Sequence, residues 1–418
     1  FIHNNKKFLM IISNDDFLRT SDQRRHWPGA QELWKKMNEA SDIYKGFYKG
    51  MYCVGHEAFI TEKDIEDGKC KLHKKEPEKV EEENYFFRLS KYTKKIKDLI
   101  QKGEIKILPE FRKNEVLNLL DSAEDISFSR PSKDLSWGIP VPGDATQTMY
   151  VWCDALSNYI TALGYGEPRE NAERFFTWWP ADIHVIGKDI VKFHAVFWPA
   201  MLLSANLPLP KTIFVHGFIN VGGEKMSKSL GNVVDPFPLI KKYGEDAVRF
   251  FLLHEVSTFG DSDYSPEHFH DVYEGLLVSR LGNLVSRVAK MIENIGGSVE
   301  KINTEKSLDE IWSKYHDFMK KYEIGEAIKL VWQFIQELDE YIEKNKVYKL
   351  IKENPEEAKN KLWYLAESIV SVSWMINPFL PETGEKILKI FGAGGERKEN
   401  WQKFYITQIP HLFPRIEK

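Results

Sequence analysis

Short, mostly apolar runs of strand length alternate with helical patterns in the first half of this chain of 418 residues. The runs lie at residues 8–12, 149–152, 183–186 and 212–215. Strands that alternate with helices favour a parallel sheet with helices packed on its faces. The sequence therefore predicts an α/β domain whose ligand lies at the carboxyl ends of the strands.

Strand patterns fade after Ser265-Pro266-Glu267, which is typical of a helix start: a capping hydroxyl, a preset φ and a carboxylate that the helix dipole favours. An apolar stripe at spacings of four and three follows: Leu277, Leu281, Leu284, Val288, Met291 and Ile295. Gly296-Gly297 should end this helix. Similar patterns over residues 328–348 and 358–376 predict an all-α bundle from residue 265 to the end of the chain.

Composition excludes several classes of protein. The net charge of −4 and the pI near 6.4 provide no electrostatic argument for a nucleic-acid partner, so such a partner must be argued from local residues. Three cysteines are too few for a disulfide scaffold. No stretch approaches the roughly 20 apolar residues that cross a bilayer, and the start has no signal-peptide pattern and no Met. We expect a cytoplasmic protein whose first residues are missing.

The most specific motif is a glycine-flanked segment with two lysines and two hydroxyl groups. It reads Gly222-Gly223-Glu224-Lys225-Met226-Ser227-Lys228-Ser229-Leu230-Gly231. Such a loop can move, and its cations can follow a triphosphate as charge shifts during a displacement. The alternative is a basic surface turn, but the full Lys-Met-Ser-Lys-Ser string is far more specific than two spaced lysines.

This string resembles the signature loop of class I aminoacyl-tRNA synthetases, and further blocks narrow the resemblance to methionyl-tRNA synthetases. These blocks are Tyr150-Val151-Trp152-Cys153-Asp154-Ala155, His184-Val185-Ile186-Gly187-Lys188-Asp189-Ile190, Phe193-His194 and Trp198-Pro199-Ala200. Other matches extend from residue 16 to Leu412-Phe413-Pro414-Arg415, so the resemblance covers essentially the whole chain.

The resemblance implies a Rossmann-type catalytic domain, incomplete at its N-terminus, and an anticodon-binding bundle. The implied divisions are the remainder of the first Rossmann half (1–41), a connective-peptide insertion (42–145), the second half (146–212), a stem-contact region with the signature loop (213–264) and the bundle (265–418). The implied reaction uses ATP with Mg²⁺ to activate L-methionine and transfers it to methionine tRNA. The lysines Lys225 and Lys228, with Ser227 and Ser229, would stabilise the departing pyrophosphate. We expect a monomer with no membrane partner.

Residue chemistry also suits a thioether ligand. Ile190, His194 and Trp198 are spaced by four, as on one face of a helix, and sulfur–aromatic contacts are favourable. The alternative is that these aromatic residues only form core. The resemblance implies that the methionine side chain contacts Trp152, Ala155, Tyr159, Ile190, His194 and Trp198. It also places Gly187 and Asp189 near the amino acid and adenylate, and His216-Gly217 beside adenosine. Leu156 stands where some members have proline.

Two Cys-x-x-His pairs lie in the turn-rich segment before residue 83: Cys53 with His56, and Cys70 with His73. Thiolate and imidazole suit tetrahedral Zn²⁺. Members of the family often carry a zinc knuckle here, usually with more cysteine, so a metal-free, hydrogen-bonded turn stays the alternative. Cys153 is expected to pack within a strand.

For tRNA, Asn283 and Arg287 lie four residues apart on the striped helix and could bond base edges of a single-stranded loop. Ordinary surface polarity is the alternative. The resemblance implies that both read the anticodon. Tyr348 stands where the family usually has a tryptophan that stacks on an anticodon base, and tyrosine can also stack.

The family's His-Ile-Gly-His and Thr-Gly-Thr-Asp-Glu-His-Gly segments are not in the chain. We therefore expect this chain alone to be inactive. The synthetases for branched aliphatic amino acids need a large editing insertion, for which the segment between Tyr44 and Pro140 is too short. A non-catalytic tRNA-binding relative or an inactive fragment of the family is the remaining alternative.

Overall fold

The computed structural model describes residues 16–53, 58–60, 65–71, 75–168, 170, 172–227, 231–301, 307–396, 401–407, 409 and 411–417. The predicted strand at residues 8–12 lies outside these ranges, as do His56, His73, Lys228 and Ser229. The chain divides into two compact units. We call residues 14–216 the N-terminal unit and residues 217–418 the C-terminal unit.

The N-terminal unit mixes helices and short strands. Its helices are α1 (Trp27–Glu39), α2 (Ser90–Lys102), α3 (Glu110–Asp121), α4 (Val151–Thr161), α5 (Glu173–Trp178) and α6 (Trp198–Ser204). Its strands are β1 (Ile43–Cys53), β2 (Ala58–Ile60), β3 (Ile65–Glu66), β4 (Lys69–Cys70), β5 (Glu78–Phe87), β6 (Lys106–Leu108), β7 (Ile126–Ser127), β8 (Ser129–Pro131), β9 (Pro140–Val141), β10 (Asp144–Met149), β11 (His184–Gly187) and β12 (Thr212–His216).

The predicted parallel pairing is confirmed for the strands near residues 183–186 and 212–215. Strand β11 pairs with β12 in parallel from His184↔Ile213 to Gly187↔His216. Strand β6 pairs with the other edge of β12, also in parallel, so the order is β11-β12-β6. The segment predicted as an insertion contains a separate antiparallel sheet, β2-β1-β5-β7, built around the long antiparallel pair of β1 and β5.

The interpretation of residues 149–152 as a strand is wrong. Strand β10 ends at Met149, and helix α4 begins at Val151 after Tyr150, which has extended backbone (φ −60°, ψ 140°). Trp152 and Cys153 therefore lie in the first turn of a helix. Asp154 in that turn is favourable for the helix dipole. Four apolar or aromatic residues in a row fit the start of a helix as well as a strand, so periodicity could not separate the two.

The helix predicted after Gly187 is also not a regular α-helix. Lys188–Ile190 forms a 3₁₀ turn, Phe193–Phe197 forms a π-helical turn, and α6 follows directly. A π turn is wider than an α turn, so a spacing of four residues does not by itself place side chains on one face. Hydrogen bonds and ring contacts decide how Ile190, His194 and Trp198 are related.

The C-terminal unit is mostly helical. Its helices are α7 (Pro236–Tyr243), α8 (Glu245–His254), α9 (Pro266–Val272), α10 (Asn283–Asn294), α11 (Asp309–Lys320), α12 (Ile324–Asn345), α13 (Val347–Glu353), α14 (Pro355–Ile376) and α15 (Pro381–Ile390). Its strands are β13 (Ile219–Val221), β14 (Glu224–Lys225), β15 (Ser262–Tyr264), β16 (Ser298–Glu300) and β17 (Lys403–Tyr405).

The predicted helix start at Ser265 is confirmed, because the Ser265 hydroxyl accepts from the His268 amide. The helix continues from α9 through a π-helical stretch, Tyr273–Gly282, into α10. Gly296 and Gly297 follow its end with positive φ, as predicted. The pattern over residues 328–348 proves to be two helices, because Lys346 adopts a left-handed conformation between α12 and α13.

One apolar core joins the helices of the C-terminal unit. Trp363 of α14 is fully buried and stacks on Phe404 of β17, with ring centroids 4.8 Å apart. Phe250 of α8 lies 4.3 Å from the ring of Trp332 of α12. None of the helices in the described ranges is long and apolar enough to cross a membrane.

Candidate functional site

The carboxyl ends of β11 and β12 bring Gly187, Asp189 and His216 together. A Cβ atom at Gly187 would lie 3.0 Å from Asp189 Oδ1 and 3.7 Å from His216 Cε1. Glycine thus leaves an open edge between a carboxylate and an imidazole. Asp189 and His216 are exposed at this edge, where a parallel sheet places its ligand crevice.

An aromatic cluster lies beside this edge and contains the predicted pocket residues of α4. Trp152 stacks face to face on Phe193, with centroids 3.7 Å apart and planes 7° apart. Its ring also meets His194 edge-on at 6.1 Å. Tyr159, two turns further along α4, lies 5.7 Å from His194 and 6.3 Å from Trp198. The structure therefore gathers Trp152, Tyr159, His194 and Trp198, which are distant in sequence.

Hydrogen bonds fix the orientation of His194. Its Nδ1 bonds the carbonyl oxygen of Ile190 at 3.0 Å, so that nitrogen is the donor. Its Nε2 must then accept, and the Tyr159 hydroxyl donates to it at 2.9 Å. Burial lowers the pKa of His194, which favours this neutral form, and burial raises the pKa of Tyr159, which keeps its hydroxyl protonated.

A second histidine, His184, supports the pocket from behind. Trp198 Nε1 donates to His184 Nε2 at 3.2 Å, and the Tyr159 ring lies 4.2 Å from the His184 ring. Trp179 also packs on this group, with its ring centroid 5.9 Å from that of Trp198. Burial, with a smaller effect of His194, lowers the pKa of His184 to about 4. His184 is therefore a neutral acceptor that holds the Trp198 indole.

The other predicted pocket residues take different positions. Trp198 is fully buried, so it forms the base of the cluster. Ala155 and Ile190 are half-buried. Two neighbours, His184 and Phe193, were missed as pocket residues by sequence reasoning. His184 begins a strand and carries no spacing signal, and Phe193 meets Trp152 only through the tertiary packing. Cys153 and Leu156 are buried, so Cys153 packs as expected, although in a helix.

A glycine turn positions Lys225 in the C-terminal unit. Strands β13 and β14 form a hairpin whose two turn residues, Gly222 and Gly223, both have positive φ. Positive φ at both positions suits a tight hairpin turn and favours glycine. Lys225 Nζ lies 4.1 Å from the Phe218 ring centroid, within the range of a cation–π contact.

The described part of the signature loop is tied to the residue that follows it. Asn232 Oδ1 accepts from the Ser227 amide at 2.8 Å, and Asn232 Nδ2 donates to the Lys225 carbonyl at 3.3 Å. Gly217 packs directly against the backbone of Gly260, because a Cβ at Gly217 would lie 1.9 Å from the Gly260 carbonyl oxygen. Glycine is required at that position of the predicted adenosine-binding segment.

The predicted anticodon residues lie on α10 and α13. The Arg287 guanidinium bonds the Glu343 carboxylate of α12 and lies 4.0 Å from Asp339. Asn283 lines a cavity of about 660 Å³ together with residues of the segment His411–Arg415. Tyr348 is 43% exposed, whereas Val347 beside it is buried in the core that contains Leu284. A base could therefore stack on Tyr348 without displacing core.

The predicted zinc pairs are described only in part. Cys53 at the end of β1 and Cys70 at the end of β4 are both buried, and neither is in a disulfide. Within the described residues, no group of three or more His, Cys, Asp or Glu side chains could hold a metal. His56 and His73 lie outside those residues.

We predict that the stability of the fold depends on pH through His184. Its folded-state pKa of about 4 lies below the ordinary value of 6.5, so between these pH values the unfolded chain binds a proton that the folded chain does not. The stability is fully present above pH 6.5 and is lost as the pH falls towards 4. A shift of this size corresponds to about 3 kcal/mol.

Denaturant unfolding at pH 7 and pH 4.5 measures this effect in the parent and in His184→Gln. Glutamine does not titrate, and its amide oxygen can accept from Trp198 Nε1. The variant should lose less unfolding free energy between the two pH values than the parent does. An equal loss in both proteins would contradict the role given to His184.

Comparisons with known proteins agree with this geometry. A family model described as tRNA synthetases class I (M) matches residues 2–70 and 58–289, and an anticodon-binding domain of tRNA ligase matches residues 303–411. The methionine–tRNA ligase of Clostridium acetobutylicum is 43% identical over 429 residues, which cover 98% of this chain and 66% of that protein. That of Brucella melitensis is 42% identical over 405 residues, covering 94% and 78%.

Solved structures give the same result. The Mycobacterium tuberculosis methionyl-tRNA synthetase in complex with methionyl-adenylate matches with a TM-score of 0.89 and 34% identity, covering 99% of this chain and 85% of that one. The chain spans 66% of the length of the Clostridium acetobutylicum relative and 64% of that from Thermotoga maritima. Taken with the aromatic cluster and the glycine-flanked lysine loop, these matches show that the chain belongs to the methionyl-tRNA synthetase family of class I.

Proposed function

We propose that the full-length protein activates L-methionine with ATP to methionyl-adenylate and transfers the methionyl group to the 3′ end of methionine tRNA. The observation that carries this proposal is the aromatic pocket in which Tyr159 donates to a neutral His194. A thioether is apolar and polarisable, so stacked and edge-on rings such as Trp152 suit it. The relatives named as methionine–tRNA ligases support the same assignment. Protein synthesis would place this activity in the cytoplasm.

The first step is a displacement at phosphorus. A carboxylate oxygen of methionine attacks the α-phosphorus of ATP, the bond to the β-phosphate oxygen breaks, and pyrophosphate leaves with the electron pair. Mg²⁺ would enter with ATP as part of the substrate and neutralise phosphate charge. The exposed edge at Gly187, Asp189 and His216 is suited to the amino acid and the nucleotide, because glycine leaves space between the two polar side chains.

In this step Lys225 and Lys228, with Ser227 and Ser229, stabilise the charge that develops on pyrophosphate. The position of Lys225 on the strand that follows the two-glycine turn supports this role. Its contact with the Phe218 ring costs little to exchange, because a cation–π contact at an exposed site contributes only about 0.5–1 kcal/mol. A triphosphate could replace this ring contact at little cost.

We expect Lys228→Ala in the full-length enzyme to slow adenylate formation by about 10²–10³, as for loss of one donor to a transition state. The KM for methionine should change little, because the lysine acts on the phosphates. Methionine-dependent ATP–pyrophosphate exchange measures both quantities. Lys241→Ala, which removes an exposed lysine from α7, is the matched control and should exchange at the parental rate. Parental exchange by Lys228→Ala would contradict the assignment.

The second step needs recognition of methionine tRNA, which we assign to Asn283, Arg287 and Tyr348. Asn283 can donate and accept, and it borders a cavity large enough for a base. Arg287 is oriented by Glu343 and Asp339, and its ion pair with the exposed Glu343 can be exchanged for a base edge. Tyr348 offers an exposed ring for stacking.

We expect Arg287→Ala to lower aminoacylation of methionine tRNA by about 5- to 150-fold, because one base-edge contact contributes about 1–3 kcal/mol. Pyrophosphate exchange should stay within about twofold of the parent, since Arg287 is assigned to the tRNA and not to methionine or ATP. Lys290→Ala is the matched control: Lys290 is a cation on the same helix that is also ion-paired, to Glu293. A parallel fall of both reactions in Arg287→Ala would mean that the residue supports the fold.

We propose that Cys53, His56, Cys70 and His73 would hold one Zn²⁺ in the predicted insertion. Burial of both thiols in a small, highly charged insertion supports this proposal, because a metal can replace the missing apolar core. When bound, the zinc would tie the ends of β1 and β4 together, and it would take no part in the transfer chemistry.

Elemental analysis of protein purified without chelator should find about one zinc per chain, because four ligands complete a structural site. Cys53→Ser should reduce the zinc content strongly. Cys153→Ser is the control and should keep the metal, since burial raises the pKa of the Cys153 thiol well above its ordinary value and keeps it protonated. Zinc far below one equivalent in the parent would favour the metal-free turn.

A further inference from the structure

A buried histidine outside the pocket clamps the helix that carries the pocket residues. His26 immediately precedes α1 and is fully buried. Its Nε2 lies 2.7 Å from Asp154 Oδ1, and its Nδ1 lies 2.7 Å from Thr161 Oγ1. Asp154 and Thr161 belong to the first and last turns of α4 and are themselves buried. One imidazole therefore bonds both the first and the last turn of this helix.

Both nitrogens stay satisfied in either protonation state of the ring. In the neutral ring, Nε2–H donates to Asp154, and the Thr161 hydroxyl donates to Nδ1. In the imidazolium, Nδ1–H donates to Thr161 Oγ1, and the hydroxyl hydrogen turns to the Asn158 carbonyl oxygen 3.4 Å away. Because a buried polar group without a partner costs about 1–3 kcal/mol, the two-point contact is a fixed feature of this helix.

We call the two hydrogen bonds of His26, to Asp154 and Thr161, the clamp. The clamp lies on the side of α4 away from the predicted pocket residues. An α-helix turns about 100° per residue, so Asp154 and Thr161, seven residues apart, lie within about 20° of each other. Trp152, Ala155 and Tyr159 lie roughly 100–160° around the helix from Asp154. A rotation of α4 that broke the clamp would thus move the pocket residues directly.

Helix α1 also packs closely against the end of α4 and the segment that follows it. A Cβ at Gly29 of α1 would lie 2.2 Å from the Tyr165 carbonyl oxygen and 2.6 Å from Thr161 Cγ2. A Cβ at Gly166 would lie 2.4 Å from Gly29 Cα. The backbones of α1 and of the segment after α4 are therefore in direct contact. His26, one turn before Gly29, adds the directional bonds to this contact.

We propose that His26 is a positioning residue for the methionine pocket, which sets the rotation and axial position of α4 and so the places of Trp152 and Tyr159. This inference rests on the function proposed above. Within the described residues, no hydrogen bond or ring contact joins His26 to Trp152, Tyr159 or His194. Its effect therefore passes through Asp154 and Thr161. It should control binding of the amino acid and leave binding of ATP alone.

The test is pyrophosphate exchange by the full-length enzyme with methionine and ATP varied in turn. His26→Gln, whose amide cannot reach both partners at once, should raise the KM for methionine about tenfold, which corresponds to about 1.4 kcal/mol. The KM for ATP should change less than about twofold. Thr161→Val, which removes only the hydroxyl, should give a smaller shift of the same kind and keeps the test decisive if His26→Gln does not fold.

Tyr92→Phe is the matched control, because it removes a half-buried hydrogen bond in the same unit, to the buried Asp42, that involves no residue of α4. It should lower the thermal midpoint but leave the KM for methionine unchanged. Equal methionine KM values in the His26, Thr161 and parent enzymes would overturn the positioning role, as would a KM rise in Tyr92→Phe that matched its loss of stability. A parent without exchange would instead overturn the proposed function and this inference together.

Discussion

Strands β11 and β12 end at the same edge of a parallel sheet, and this pairing fixes where the polar groups of the site lie. Its register aligns Gly187 with His216. Because glycine has no side chain, space is left there between the Asp189 carboxylate and the His216 imidazole. The same register starts at His184, whose buried ring then supports Trp198. A slip of one residue would exchange buried and exposed faces along β11. The aromatic cluster and the exposed polar edge therefore depend on one strand pair.

The aromatic cluster contains two histidines that are polar but uncharged. His194 and His184 both have a lowered pKa because they are buried, and each uses a defined nitrogen as acceptor. A charged imidazolium in this cluster would be costly, since a low-dielectric surrounding disfavours the ionised form. Neutral rings let Tyr159 and Trp198 keep their single donors satisfied. The result is an aromatic surface with few polar atoms, which suits an apolar, polarisable side chain.

The two regions also differ in how they hold their functional groups. In the N-terminal unit, ring packing and buried hydrogen bonds fix the pocket side chains, so little reorganisation is needed on binding. In the C-terminal unit, Lys225 lies on a glycine hairpin, and Arg287 is paired with the exposed Glu343 and lies near the half-buried Asp339. Such contacts are weak in water and exchange easily for a phosphate or a base. The site proposed for methionine is thus built from packed contacts, and the sites proposed for phosphates and bases are built from contacts that exchange more easily.

The sequence by itself determined the fold class, the parallel pairing near residues 184–187 and 212–216, the helix start at Ser265 and the family. These follow from local signals: apolar period, capping chemistry and an unbroken motif. It did not determine whether residues 149–152 form a strand, because a short apolar run fits either state, nor that the helix after Gly187 contains a π turn. Only the tertiary structure placed His184 behind Trp198, stacked Phe193 on Trp152 and joined His26 to α4. Each of these contacts connects residues whose sequence spacing carries no signal, so packing across elements decides them.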